Sequence, residues 1–127
     1  MTRLLMLIAL VFCSQGLADD RDKLADTGAS FLKTCAVVEK PTKDLPRSEL
    51  LDANYCAAYM SGYLDALEFA AAAYDADLFC PPPEGLEARQ AVKIVLSHVR
   101  KTPASANKSI TVVIALAMKD AFPCGRK

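Results

Sequence analysis

Hydrophobic residues recur along most of the chain with the spacing of an amphipathic α-helix. In the first such segment they lie three or four positions apart and therefore share one face of a helix. The members of this face are Leu24, Gly28, Phe31, Cys35 and Val38. The segment EKPTKDLPR then interrupts the pattern, because Pro41 and Pro46 act as helix breakers. We predict a first helix that ends before Pro41, with Asp44 as the N-cap of the next helix.

The second periodic segment is long enough for about seven helical turns. Its stripe consists of Leu51, Tyr55, Ala58, Gly62, Ala66, Phe69 and Ala73. Ala58 and Gly62 lie one turn apart and would let another helix approach closely, which favours tight core packing over a dimer interface. Asp65 lies among alanines and leucines, and it is equally compatible with a buried, hydrogen-bonded carboxylate and with an exposed one.

Two shorter helices are predicted in the C-terminal part of the chain. The third opens at Glu84 or Gly85, after a run of three prolines, and a further cap is expected at Thr102 with Pro103 in the first helical position. The faces of the third and fourth helices are Ala88, Val92, Val95 and Val99, and Ile110, Val113, Ile114, Ala117 and Ala121. The β-branched run ITVVI could form a strand, but its neighbours keep helical spacing and no second strand is available. The predicted fold class is all-α, a compact bundle of four main helices.

The N-terminus has the three regions of a secretory signal peptide. Arg3 precedes an apolar run of nine residues from Leu4 to Phe12, and small residues follow up to Ala18. A transmembrane helix would need about 20 apolar residues. We therefore expect cleavage after Ala18, so that residues 1–18 are the signal peptide. Residues 19–127 then form a single exported helical domain, without stable insertion in the membrane.

Four of the five cysteines lie in the predicted exported domain, and Cys13 lies in the signal peptide. An even number of cysteines in an exported chain favours disulfides. A zinc site would need short paired spacings or several histidines, so we expect no metal and no other cofactor. If consecutive helices are antiparallel, Cys35 and Cys56 lie at one end of the first pair, and Cys80 and Cys124 at one end of the second. We predict the disulfides Cys35–Cys56 and Cys80–Cys124.

The residues show no obvious catalytic constellation. His98 is the only histidine of the chain, and no serine or free cysteine is visibly paired with it. The acidic residues are scattered, and a glycine-rich phosphate loop is absent. We therefore predict a binding protein rather than an enzyme.

Charge is distributed unevenly along the predicted domain. Residues 19–88 carry 6 basic and 14 acidic side chains, whereas residues 89–127 carry 8 basic and 1 acidic. This asymmetry can steer a partner, but we favour attraction between the two halves within the fold. No nucleic-acid partner is expected of an exported protein without a strong basic cluster. The most concentrated basic segment is VRKTPASANK, at the end of the third helix and after it. With His98 on that helix, the candidate partner-binding residues are His98, Arg100, Lys101, Thr102 and Lys108.

Four blocks of sequence resemble the Rap/Tai family, small exported immunity proteins of bacterial type VI secretion systems. The blocks are FLKTC, which ends at Cys35; YCAAYMSGYLDAL, with Gly62 and Asp65; CPPPEGLEARQAVKIVLSHVRKTP, with Pro81; and IALAMKDAFPC, which ends at Cys124. They span nearly the whole predicted domain in order. The resemblance implies a helical, often homodimeric protein in which the four cysteines, Gly62, Asp65 and Pro81 are structural.

The resemblance also implies a function in the periplasm. Members of the family bind a peptidoglycan amidase effector and occlude its active site, with no reaction of their own. Two alternatives from other classes remain open. A chaperone of the acid-stress type would expose apolar surface as the carboxylates of the acidic half protonate, and an orphan envelope protein would only support an assembly. Two cross-links favour a rigid domain and hence the immunity protein.

Overall fold

A computed structural model describes residues 26–75 and 77–125 of the chain. The predicted signal peptide and Leu24 lie outside these residues. Within them are four α-helices: α1 (Gly28–Cys35), α2 (Arg47–Tyr74), α3 (Ala88–Lys101) and α4 (Ile110–Ala121). Three short 3-10 helices span Ala36–Glu39, Thr42–Asp44 and Pro103–Ser105. The all-α prediction is confirmed, and none of the described helices has the length and apolarity to cross a membrane.

The start of α2 corrects one predicted helix cap. Asp44 lies in a 3-10 helix and does not cap α2, because Leu45 and Pro46 intervene in an extended conformation. Pro46 takes the N-cap position and α2 begins at Arg47. Proline can occupy this place because the amide group that it lacks would have no partner inside the helix.

The start of α3 is also later than predicted. Gly85 has a φ of +88° and lies in a turn closed by a hydrogen bond from its N–H to the Pro82 carbonyl. This left-handed backbone conformation suits glycine and is incompatible with a helical position. The helix therefore starts at Ala88, with Glu87 as N-cap.

Two helices begin in the segment between α3 and α4, whereas the sequence predicted one. Thr102 and Pro103 do begin a helix, but it is a 3-10 helix of three residues. A separate cap at Ser109 then begins α4. The ITVVI run is helical as predicted, and four of the five predicted residues of its face are buried, whereas Ala121 is exposed.

The core is built around α3, which packs against each of the other three α-helices. Val92, Val95 and Val99 are buried, as their spacing predicted. The largest side chains that fill the core around them are Phe31, Met60, Leu96, Ile110, Ile114 and Met118. Because α3 lies between the others, its apolar face is the main site of hydrophobic stabilisation.

The beginning of α1 is clamped to the segment that precedes α4. The Gly28 N–H donates to the Lys108 carbonyl at 3.1 Å, and the Ala29 N–H donates to the Ala106 carbonyl at 2.9 Å. Thr27 and Ser30 add a reciprocal capping box in which each side-chain oxygen accepts a hydrogen bond from the other residue's N–H. The backbones at Gly28 and Ser105 are thereby held in close contact.

Both predicted disulfides are confirmed. Cys35 and Cys56 join the end of α1 to α2, with 5.7 Å between their Cα atoms. Cys80 and Cys124 join residues 77–87, here called the proline segment, to the residues that follow α4, with a Cα separation of 4.9 Å. The first pair is buried in the core, whereas the second pair is exposed.

Candidate functional site

A cleft of about 430 Å³ lies between the second half of α2 and the proline-containing segment that follows it. Its apolar lining comes from both sides and includes Leu64, Leu67, Leu78, Phe79 and Leu86. The α2 side of the cleft is accessible because no residue of this helix beyond Met60 is fully buried. The cleft is therefore an apolar groove at the projecting end of the longest helix.

The wall formed by the proline segment is held in place by several interactions with the C-terminus. The Cys80 N–H donates to the Phe122 carbonyl at 2.9 Å, beside the Cys80–Cys124 disulfide. The rings of Phe79 and Phe122 pack with 6.3 Å between their centroids. Pro81, predicted as a structural residue, is exposed and lines the cleft. The wall thus has little freedom to rearrange.

The charged groups of the cleft are all acidic. Asp65, Glu68 and Asp77 line it, and no Lys or Arg is among its described lining residues. The sequence accounts for this bias, since residues 48–88 contain eight acidic side chains and no basic one. Asp65 is exposed, which decides between the two environments that the sequence left open.

The face of α2 that the sequence singled out is solvent-exposed. Ala58 and Gly62 were predicted to pack tightly in the core, and this is wrong: both are exposed, and a Cβ atom on Gly62 would meet no atom within 4 Å. Larger members of the stripe are also accessible, with Leu51 52% and Phe69 72% exposed. The core instead receives Ala53, Cys56 and Met60 from another face of the same helix. The stripe is therefore an uncovered apolar surface of the described chain.

The predicted basic surface is partly engaged within the fold. The Arg100 guanidinium donates to both carboxylate oxygens of Glu39, at 2.7 and 2.8 Å. The hydrogen bond from Arg100 is the main cause that lowers the pKa of Glu39 below its ordinary value. This pair joins the basic half of the chain to the acidic half, as the internal interpretation of the charge asymmetry predicts. Lys101 and Lys108 are exposed, and Thr102 is half-buried.

His98 lies between two polar side chains that the sequence did not associate with it. Its Nε2 atom lies 3.2 Å from Ser105 Oγ, and its Nδ1 atom lies 3.4 Å from Asp120 Oδ2. The expectation that no serine pairs with His98 is wrong, because the chain turns back after α3 and brings Ser105 Oγ within hydrogen-bond distance of Nε2.

A serine at Nε2 and an aspartate at Nδ1 of the same histidine are the contacts of a hydrolase triad, but the surroundings do not suit catalysis. Ser105 is only 1% exposed, so its hydroxyl cannot reach a substrate carbonyl. The N–H groups of Ser105 and Ala106 already donate to carbonyls of the same 3-10 turn, and they cannot form an oxyanion hole. The three side chains instead tie the turn to α3 and α4. Within residues 26–75 and 77–125, no cluster of His, Cys, Asp and Glu suits a metal ion.

The cleft residues Leu64, Glu68 and Leu78 were missed by the sequence analysis. The feature of the sequence that could have indicated them is the stretch 48–88, which has no lysine or arginine and carries carboxylates among apolar residues. Spacing could not identify them, because they come from two segments joined by a turn.

A family model described as Rap1a immunity proteins matches residues 27–124. No curated protein and no solved structure shows a significant match to the chain. The matched residues contain all four α-helices and both disulfides. Immunity proteins act by binding a bacterial effector, and this chain belongs to the family of Rap1a immunity proteins.

Proposed function

We propose that this protein is exported to the periplasm, where it binds a peptidoglycan amidase effector of a type VI secretion system and blocks the active site of that enzyme. The observation that carries the proposal is the family match over residues 27–124, which includes both disulfides. Disulfides persist in oxidising compartments such as the periplasm. The buried Ser105 hydroxyl supports inhibition by binding rather than by a reaction of the chain's own residues.

The amidase of the host's own secretion system provides a direct test. An equimolar amount of the folded protein is expected to abolish hydrolysis of purified peptidoglycan by this amidase, and its expression in the periplasm is expected to rescue cells that receive the enzyme. Full hydrolysis in the presence of the folded, disulfide-bonded protein would contradict the proposal.

Two exposed lysines, Lys101 at the end of α3 and Lys108 before α4, are the proposed partner-binding residues of the basic surface. Replacing Lys101 and Lys108 with glutamate is expected to weaken amidase binding about tenfold, which corresponds to roughly 1.4 kcal/mol, mainly through slower association. The dissociation constant and both rate constants can be measured by surface plasmon resonance. Lys33→Glu is the control, because it reverses an exposed charge on α1. Equal effects of the two changes would show that Lys101 and Lys108 are not part of the binding surface.

A homodimer through the exposed stripe of α2 is also proposed. The spacing of the stripe is symmetric about Gly62, so an antiparallel copy crossing there would place Tyr55 opposite Phe69 and Ala58 opposite Ala66. The small residues at the crossing would allow close approach, and the aromatic residues would cover its edges. An exposed apolar face of this kind is typical of an interaction surface.

Gly62→Arg is expected to convert this dimer to a monomer without unfolding the protomer, because the new side chain points into open space. Sedimentation velocity over a range of protein concentrations measures the change. Gln90→Arg adds the same charge at an exposed position of α3 and is expected to leave the dimer intact. A wild-type protein that stays monomeric throughout would refute the homodimer.

A further inference from the structure

We infer that the cleft between α2 and the proline segment is a docking groove for a basic segment of the effector, which inserts an aliphatic or aromatic side chain between the cleft walls and places Lys or Arg against Asp65, Glu68 and Asp77. The identity of the partner rests on the proposed function. The groove itself, and the chemistry that it selects, follow from the described residues.

The size and lining of the cleft suit a side-chain anchor. Its volume of about 430 Å³ falls within the roughly 300–1,000 Å³ typical of ligand pockets. Leucines from α2 face leucine and phenylalanine side chains of the proline segment across the groove. Leu78 is 43% exposed. Covering this apolar surface would stabilise a complex by removing it from water.

The charge of the cleft determines which partners it accepts. Three carboxylates line an apolar groove without a described basic neighbour, and the surrounding stretch 48–88 lacks any lysine or arginine. Such a surface repels nucleic acid, anionic lipid headgroups and the carboxylates of peptidoglycan stems. It attracts a cationic segment and increases its association rate. A basic protein segment with an apolar anchor therefore complements both the carboxylates and the apolar lining of the cleft.

The rigidity of the proline wall lowers the entropic cost of binding. Three consecutive prolines restrict the backbone, the Cys80–Cys124 disulfide attaches it to the C-terminus, and the Phe79–Phe122 contact fixes its apolar side. A preformed groove loses little conformational freedom when it is occupied. A wall built in this way is consistent with recognition of one defined segment.

Paired carboxylate substitutions test the inference on the full chain. The catalytically inactivated amidase serves as the probe, and its dissociation constant is measured for the wild type and for Asp65→Asn/Glu68→Gln. These changes preserve side-chain size, and both residues are exposed, so the fold should be retained. We expect binding about tenfold weaker, slower association, and a smaller loss of affinity between about 0.05 and 0.5 M salt. Leu78→Ala is expected to increase the dissociation rate instead.

The control is Asp44→Asn/Asp52→Asn, which removes the same net charge from the acidic half away from the cleft. It should alter the dissociation constant less than twofold. If the wild type binds the amidase and the Asp65/Glu68 variant binds equally well, the inference is overturned while the proposed function stands. If that variant loses only self-association, the occupant is a second copy of the chain. A folded wild type that binds no amidase would refute the proposed function and this inference with it.

Discussion

Replacing Cys80 and Cys124 with alanine is expected to lower the free energy of unfolding by about 4 kcal/mol. The disulfide closes a loop with a sequence separation of 44 residues. When such a cross-link is removed, the gain in entropy of the unfolded chain lowers its free energy by about 4 kcal/mol. Folded domains of this size are stable by only about 5–15 kcal/mol. The loss is therefore a large fraction of the total.

This disulfide is the better test of the chain-entropy argument because both cysteines are exposed. Alanine at these positions leaves no cavity in the core, so the effect reflects the cross-link itself. Urea denaturation followed by circular dichroism gives the free energy of unfolding of both proteins. The Cys35–Cys56 disulfide closes a shorter loop, with a separation of 21 residues. The entropic part of its removal is about 3 kcal/mol. Because that pair is buried, the core suffers additional damage.

The same substitution at Cys80 and Cys124 should also weaken amidase binding. The disulfide holds the proline wall of the cleft, and its loss would let this wall move before the partner is bound. A Cys80/Cys124 variant whose stability falls by less than about 1 kcal/mol would show that the hydrogen bond from Cys80 to Phe122 and the ring contact suffice to hold the segment.

Gly28→Ala is expected to destabilise the protein by about 2–3 kcal/mol. A Cβ atom on Gly28 would lie 2.4 Å from the Ser105 carbonyl oxygen and 3.1 Å from its carbon. Both are backbone atoms, so relief requires movement of the whole turn, which is bonded to α1 through the N–H groups of Gly28 and Ala29. Overpacking of this kind costs about 1–3 kcal/mol, and a broken backbone hydrogen bond would add to it.

Gly62→Ala is the matched control for this clash. The same added methyl group meets nothing within 4 Å at Gly62, and alanine in a helix interior is favoured over glycine by about 0.5–1 kcal/mol. At protein concentrations low enough for a monomer, the two substitutions should therefore shift the urea midpoint in opposite directions. A neutral effect of Gly28→Ala would show that the turn at Ser105 can retreat without loss.

The helices and cross-links were predictable because they depend on local or topological rules. Hydrophobic spacing identified four helices. In α3 it also identified the correct buried face, because the valines recur at helical spacing among charged and polar residues. The disulfide pairing followed from antiparallel packing of consecutive helices, since this places each pair of cysteines at one end. The capping residues were less predictable, as Asp44 illustrates, because two extended residues can separate a good capping residue from the helix.

The buried face of α2 was not predictable from its sequence. Alanines and leucines are distributed around this helix, so composition does not distinguish the core side from the solvent side. The choice of Cys56 and Met60 for the core depends on where α1 and α3 lie. The predicted stripe is a real apolar surface, but it faces away from them.

The sequence by itself therefore determined the all-α fold and both disulfides, because helix periodicity and short connections allow few arrangements of four helices. Only the tertiary structure decided which surfaces are available for binding. It paired Arg100 with Glu39, placed His98 between Ser105 and Asp120, and left the Gly62 face exposed. It also brought the carboxylates of α2 and the proline segment together around one cleft. These contacts join residues from different helices and turns, and their partners are set by packing around α3 rather than by the spacing within one helix.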